Sequence, residues 1–173
     1  MSKPLIRQYQ HHLLAVLILL SHHSLALESD KKEKVQWSAD GDSTMRIEGT
    51  TRILEMSTNV RVTQGTLEIL GDEAIFEYSV VTKELNKVTV HGNPVQYQQQ
   101  LDEDGNIVNG SSKTLSFYTD QIDGNTVLEL VGDASIKSPD STMNCSAITY
   151  IVDQDLIRDA AGPCVGALSS ATN

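Results

Sequence analysis

The stretch Asn59-Val60-Arg61-Val62-Thr63-Gln64-Gly65-Thr66-Leu67-Glu68-Ile69 alternates apolar and polar residues with a single glycine interrupting it. At period two, Val60 and Val62 share one face of a strand while Arg61 and Thr63 share the other; a half-buried strand has this pattern and a helix does not. Gly65 gives the chain a place to bulge or turn before Leu67 and Ile69 resume the alternation, which runs out at Ala74-Ile75-Phe76-Glu77-Tyr78. The module returns from Asn93 to Tyr118 and again from Asp133 to Tyr150. Starts about 34 and 40 residues apart are the spacing of one supersecondary unit stacked on itself.

Other short alternations fill the gaps: Val35-Gln36-Trp37-Ser38, Met45-Arg46-Ile47-Glu48, Arg52-Ile53-Leu54-Glu55-Met56, Leu85 to Val90, and Val127 to Val131. Between them Gly41-Asp42-Ser43, Asp102 to Asn106, Asp123-Gly124-Asn125 and Ser138-Pro139-Asp140-Ser141 have the composition of turns. No stretch after residue 26 carries a capped stripe at helical spacing, so the reading is an almost purely β chain. The copies also agree on an inner face. It takes in Ala74, Phe76 and Tyr78; Lys113, Leu115 and Phe117; and Ile148, Tyr150 and Val152, with Lys113 the one polar exception.

The first residues stand apart. Lys3 and Arg7 precede an unbroken apolar run from Leu13 to Leu20, and Ser24-Leu25-Ala26 offers small residues where a signal peptidase cuts, so residues 1–26 read as a secretory signal peptide. The run is short for a bilayer span, which takes about 20 residues, although a retained anchor shares the same early pattern. Residues 27–173 then form one domain, opened by a charged lead-in from Leu27 to Lys34 that is expected to be flexible. Lys3 and Arg7 are two of the 13 basic side chains and none of the 23 acids lies in the segment, so cleavage moves the formal charge from −10 to −12. An acidic surface of that size excludes a nucleic-acid partner, whose phosphates require a basic face.

Few residues could carry chemistry. Gly41-Asp42-Ser43 resembles a hydrolase nucleophile triplet, but cleavage at Ala26 leaves His91 as the one histidine to serve as base, and a turn explains the triplet better. Asp102, Asp104 and Gly105 fall short of a calcium loop, because Lys113 stands where the bidentate glutamate belongs. His91 has no second ligand at zinc spacing. Asn109-Gly110-Ser111 and Asn144-Cys145-Ser146 match the glycosylation pattern, which counts only in a eukaryote. The chain is therefore expected to be no enzyme and to hold no metal or cofactor. Cys145 and Cys164, in an exported chain, read as a disulfide. If the last two strands form a hairpin turning near Gln154, Cys145 opposes Pro163, and one bulge sets it against Cys164.

The mature chain resembles the OstA-like family of lipopolysaccharide-transport periplasmic proteins, the LptA family. The likeness rests on Asn59 to Thr66, Gly71-Asp72-Glu73-Ala74, Gly92-Asn93-Pro94, Gly132-Asp133-Ala134 and Ile148-Thr149-Tyr150. It implies a twisted open β-jellyroll of repeated antiparallel strand units, in the periplasm, whose apolar interior accepts the acyl chains of lipid A. It further implies end-to-end docking with LptC at the inner membrane and LptD at the outer membrane. By matching position the lipid-facing candidates are Val35, Trp37, Tyr97 and Phe117, and Phe76 joins them by its inward place. An open jellyroll also leaves unpaired backbone groups on its terminal strands, and Val35 to Ser38 carries no charge or proline to block pairing, so head-to-tail self-association is a further expectation. An LptC-like anchored subunit and a secreted structural β-protein are the alternative readings. Intact mass of exported material should show a chain beginning at Leu27; a full-length species in the membrane fraction would select the anchored alternative.

Overall fold

The computed structural model describes residues 29–102 and 104–169, so the signal segment lies outside the described residues. Ten antiparallel strands follow one another: β1 (Gln36–Ser38), β2 (Ser43–Glu48), β3 (Thr51–Gln64), β4 (Leu67–Ser79), β5 (Leu85–Gln100), β6 (Ile107–Thr119), β7 (Thr126–Lys137), β8 (Ser141–Ile151), β9 (Leu156–Ala161) and β10 (Val165–Leu168). A 3-10 turn, Val152–Gln154, joins β8 to β9. They form one sheet in the order β1-β3-β4-β5-β6-β7-β8-β10, with β2 on β3 and β9 on β8. The alternation predicted strands from β1 to β8, and the hairpin supposed around Gln154 anticipated the strand that follows β8. Arg52–Met56 and Asn59–Gln64, which read as two segments, are a single strand, because Thr58 and Asn59 are an extra step within the ladder and not a break in it.

That step recurs in every long strand pair. Register shifts fall between Ser57 and Val60, Leu70 and Glu73, His91 and Val95, Ser111 and Thr114, and Val131 and Ala134. Since these positions are neighbours across the sheet, the bulges line up as a crease that every strand from β3 to β8 crosses. The repeated Asn59, Asn93 and Asp133 thus mark bends in the middle of strands, whereas the sequence placed them at the start of a unit. Backbone conformation shows why such residues stand at two of the three: Thr58, Asn59, Gly132 and Asp133 all have positive φ. At Gly71 the constraint is space, because a Cβ would meet Val90 Cγ1 at 2.4 Å and the His91 carbonyl oxygen at 2.8 Å.

The crease folds the sheet on itself into two layers. One holds β1, β10 and the halves of β3–β8 that end in the turns at 65–66, 101–106 and 138–140. The other holds β2, β9 and the halves that end in the turns at 49–50, 80–84, 120–125 and 152–155. Their facing side chains form one apolar core in which Val60, Val62, Ile69 and Tyr97 of the first layer join Phe76, Val90, Leu115, Leu128, Leu130 and Ile148 of the second. Gly110 keeps the layers close: a Cβ there would meet Leu130 Cδ1 at 3.2 Å. Of the nine expected inner positions only Lys113 is exposed, since it sits in the β6 bulge and pairs with Asp133 across the crease at 2.8 Å.

At both ends of the sheet the terminal strand is split at the crease, into β1 and β2 at one end and β9 and β10 at the other. The last split is cross-linked. Ala147 pairs with Ala161 and Asn144 with Val165, a one-residue shift that sets Cys145 against Cys164, and a disulfide joins them with 4.3 Å between their Cα atoms. Closing a loop with a sequence separation of 19 should contribute about 3 kcal/mol in the chain-entropy account. Cys145→Ser with Cys164→Ser is therefore expected to lower the unfolding free energy by that amount, with a lower urea midpoint and a somewhat steeper slope because the freed unfolded chain exposes more surface, and two titratable thiols in denatured, unreduced parent protein would refute the bond.

Candidate functional site

Opposite the crease, the turns of the two layers face each other across the mouth of the jellyroll. A cavity of about 400 Å³ lies there, lined by Lys31, Val35 and Gln64 on one side and Leu85, Phe117 and Tyr118 on the other. It falls within the size range of ligand sites, roughly 300–1,000 Å³. A shallower hollow of about 460 Å³ lies on the surface of the first layer among Leu70, Gln96, Gln98, Asn109 and Ser111, where the alternation turns amides and hydroxyls outward. Among the described residues, no group of three His, Cys, Asp or Glu is placed to hold a metal ion, and no helix is long and apolar enough to cross a membrane.

The five aromatic and aliphatic candidates separate into three situations. Val35 and Phe117 come together as opposite walls of the mouth cavity, and both touch the core. Trp37 lies beyond them on β1, paired with inward-facing Val62 and 43% exposed because no strand covers that edge. Phe76 and Tyr97 are fully enclosed, Phe76 stacked on Tyr78 with 6.3 Å between ring centroids. Leu85, absent from the sequence candidates, completes the cavity wall. Met45 and Ile47 on β2 were also missed. They are 60% and 61% exposed, and their alternation with Arg46 turns both toward the inner side, in register with Leu54 and Arg52.

A polar cluster closes one side of this mouth, and it corrects the expectation of a flexible lead-in for residues 29–34. Asp30 is 4% exposed. Its carboxylate accepts from the Thr66 amide at 2.8 Å, the Thr66 hydroxyl at 2.6 Å and Gln99 Nε2 at 2.9 Å, while Gln99 Oε1 accepts from the Tyr97 hydroxyl at 2.8 Å. Lys31 reaches the other layer and pairs with Asp153 at 2.7 Å. Asp153 also accepts from the Thr126 amide at 2.5 Å, and Tyr150 donates to Asp155 at 2.6 Å. Local pattern could not reveal this docking, because the partners of Asp30 lie 36 and 69 residues away.

Comparison with known proteins gives three findings. A family model described as "LptA/(LptD N-terminal domain) LPS transport protein" matches residues 40–155. The lipopolysaccharide export system protein LptA of Haemophilus influenzae is 29% identical over 147 residues, which span 84% of this chain and 80% of that one. The crystal structure of LptH, the LptA homologous periplasmic component of the lipopolysaccharide transport device of Pseudomonas aeruginosa, matches with a TM-score of 0.66 over 82% of this chain and 99% of that one. At 16% identity the last likeness concerns the fold, which is that of an LptA-like jellyroll.

The enclosed tyrosines give the site a pH signature. Burial, aided by Asp30, Asp155 and Asp153, pushes the Tyr97 hydroxyl far above the ordinary tyrosine value; burial and the hydrogen bond to Asp155 do the same for Tyr150. The folded chain keeps both protons while the unfolded chain releases them near pH 10, so their contribution to stability is complete below that pH and is lost above it. The expected slope is up to about 1.4 kcal/mol per pH unit for each tyrosine. Urea unfolding between pH 9 and 11 should show this decline, and Tyr97→Phe with Tyr150→Phe should flatten it.

Proposed function

Since the chain belongs to the LptA/(LptD N-terminal domain) family of lipopolysaccharide transport proteins, we propose that it carries lipopolysaccharide through the periplasm with the acyl chains of lipid A held between its two layers. The family is one of transport proteins, not enzymes. The observation that carries the reading is the mouth cavity, in which Val35, Leu85 and Phe117 present apolar surface between layers that no β-ladder joins. An acyl chain entering there gains about 0.8 kcal/mol per buried methylene, on the order of 10 kcal/mol for a long chain before ordering costs. Phe76 and Tyr97 line the deeper path, reached as the layers part. The acidic surface does not oppose this, because repulsion of lipid phosphates left outside is screened over roughly 8 Å at physiological salt.

The reading extends to assembly. Residues 1–26 act as an export signal, and the mature jellyroll bridges LptC at the inner membrane and LptD at the outer membrane, with head-to-tail copies between them. Support comes from the split terminal strands: β1 and β2 are exposed along their length, as is β10, and Trp37, Met45 and Ile47 continue the inner apolar surface to the very edge. An edge of this kind pairs with another strand and joins two interiors in the same step.

A photo-crosslinking residue at position 117 should capture lipopolysaccharide and one at Glu77, on the outer face, should not. Equal capture at both positions would overturn the interior reading.

A further inference from the structure

The segment from Ser29 to Val35 lies at the mouth, held along the first layer and reaching the second through the Lys31 side chain. Asp30 fastens it to the first layer through Thr66 and Gln99, the Glu33 carbonyl accepts from Gln64 Nε2 of that layer at 3.1 Å, and Lys31 fastens it to the second layer through Asp153. Its side chains Lys31 and Val35 form part of the cavity wall. The segment lies outside the family match, which begins at residue 40.

We infer that Ser29–Val35 is a strap that closes the mouth while no lipid is held, and that an incoming acyl chain displaces it; this rests on the acyl-groove reading given above. Two properties single the strap out from the rest of the wall. Its backbone is held differently: among the described residues its own bonds are those of a single turn, Lys32 to Ser29 and Glu33 to Asp30, against strands knitted along both edges. Its fastenings are also almost wholly polar. When they open, Asp30, Thr66, Gln99, Lys31 and Asp153 exchange protein partners for water, which recovers much of the cost, whereas parting two core strands exposes a ladder and an apolar face together. Val35 is the exception. It faces Phe117 as the opposite wall of the cavity, so a lipid that fills the mouth and the strap in its closed position exclude each other.

The Tyr97–Gln99–Asp30 chain of hydrogen bonds gives the exclusion a route inward. Gln99 is held between the Tyr97 hydroxyl and the Asp30 carboxylate, so loss of Asp30 frees the Gln99 amide and the side chain that fixes the Tyr97 ring. Release of the strap therefore loosens one of the two enclosed aromatics on the deeper path.

A closed strap lowers apparent lipid affinity by the fraction of molecules that are open, and weakening it restores that fraction. Asp30→Ala is thus expected to bind purely micellar lipopolysaccharide with a dissociation constant roughly fivefold lower than the parent. Thr66→Val, which leaves Asp30 two of its three donors, should fall between them and guards against a folding defect. In the unmutated protein, the Thr66 amide donates to Asp30, so its hydrogen exchange, with that of Lys32 and Glu33, should quicken when lipopolysaccharide is added. Capture at position 117 together with equal affinities and unchanged or slower Thr66 exchange would overturn the strap while leaving the groove intact. No capture at 117 in parent or Asp30→Ala protein would overturn both.

Discussion

A sheet of ten strands with one apolar face cannot lie flat in water, and the bulges that let it fold over that face are the constraint on which everything else depends. Each strand pair from β3 to β8 departs from register at the crease. A bulge in one pair alone would twist a strand; aligned bulges turn the whole sheet. The crease explains the close approach of Gly71 to β5, where a side chain would collide with Val90 and the His91 carbonyl. It also explains why the terminal strands come in pairs of fragments, since a strand on an edge has no second neighbour to hold it through the bend.

Folding the sheet in this way produces an interior with an unusual property for a core. Within each layer, backbone ladders hold the strands; between layers, the contact is side chain on side chain. Apolar surface parted from apolar surface and then covered by hydrocarbon loses little free energy, because the acyl chain keeps water out as the opposing layer did. A closed core and a lipid site are thus compatible descriptions of one interior. Phe76 and Tyr97 are enclosed in it.

What the sequence made legible was set by distance along the chain. Alternation and turn composition are local properties, and they placed the strands from β1 to β8, the tips at 102–106, 123–125 and 138–141, and eight of the nine inner positions. The repeat at Asn59, Asn93 and Asp133 was visible as well, but its meaning needs the partner strand: two residues opposing one is a relation between strands, and neither sequence shows it alone. Lys113 looked like a flaw in the inner series for the same reason, and the structure makes it a bulge residue paired with Asp133. Asp30 was out of reach altogether. A lone acid in a charged lead-in looks solvated until Thr66 and Gln99 are known to stand beside it.

The disulfide acquires a mechanical meaning from where it sits. A chain of jellyrolls joined edge to edge would carry any tension through its terminal strands, and an outermost strand yields by peeling, its hydrogen bonds breaking one after another and not all at once. β9 and β10 meet at the crease, where the ladder along β8 is interrupted and peeling would run from one fragment into the next. Cys145 and Cys164 place a covalent stop at that point. Traction on the end of β10 can strip four residues and no more, so the far half of the edge bears load as if it were anchored in the sheet's interior.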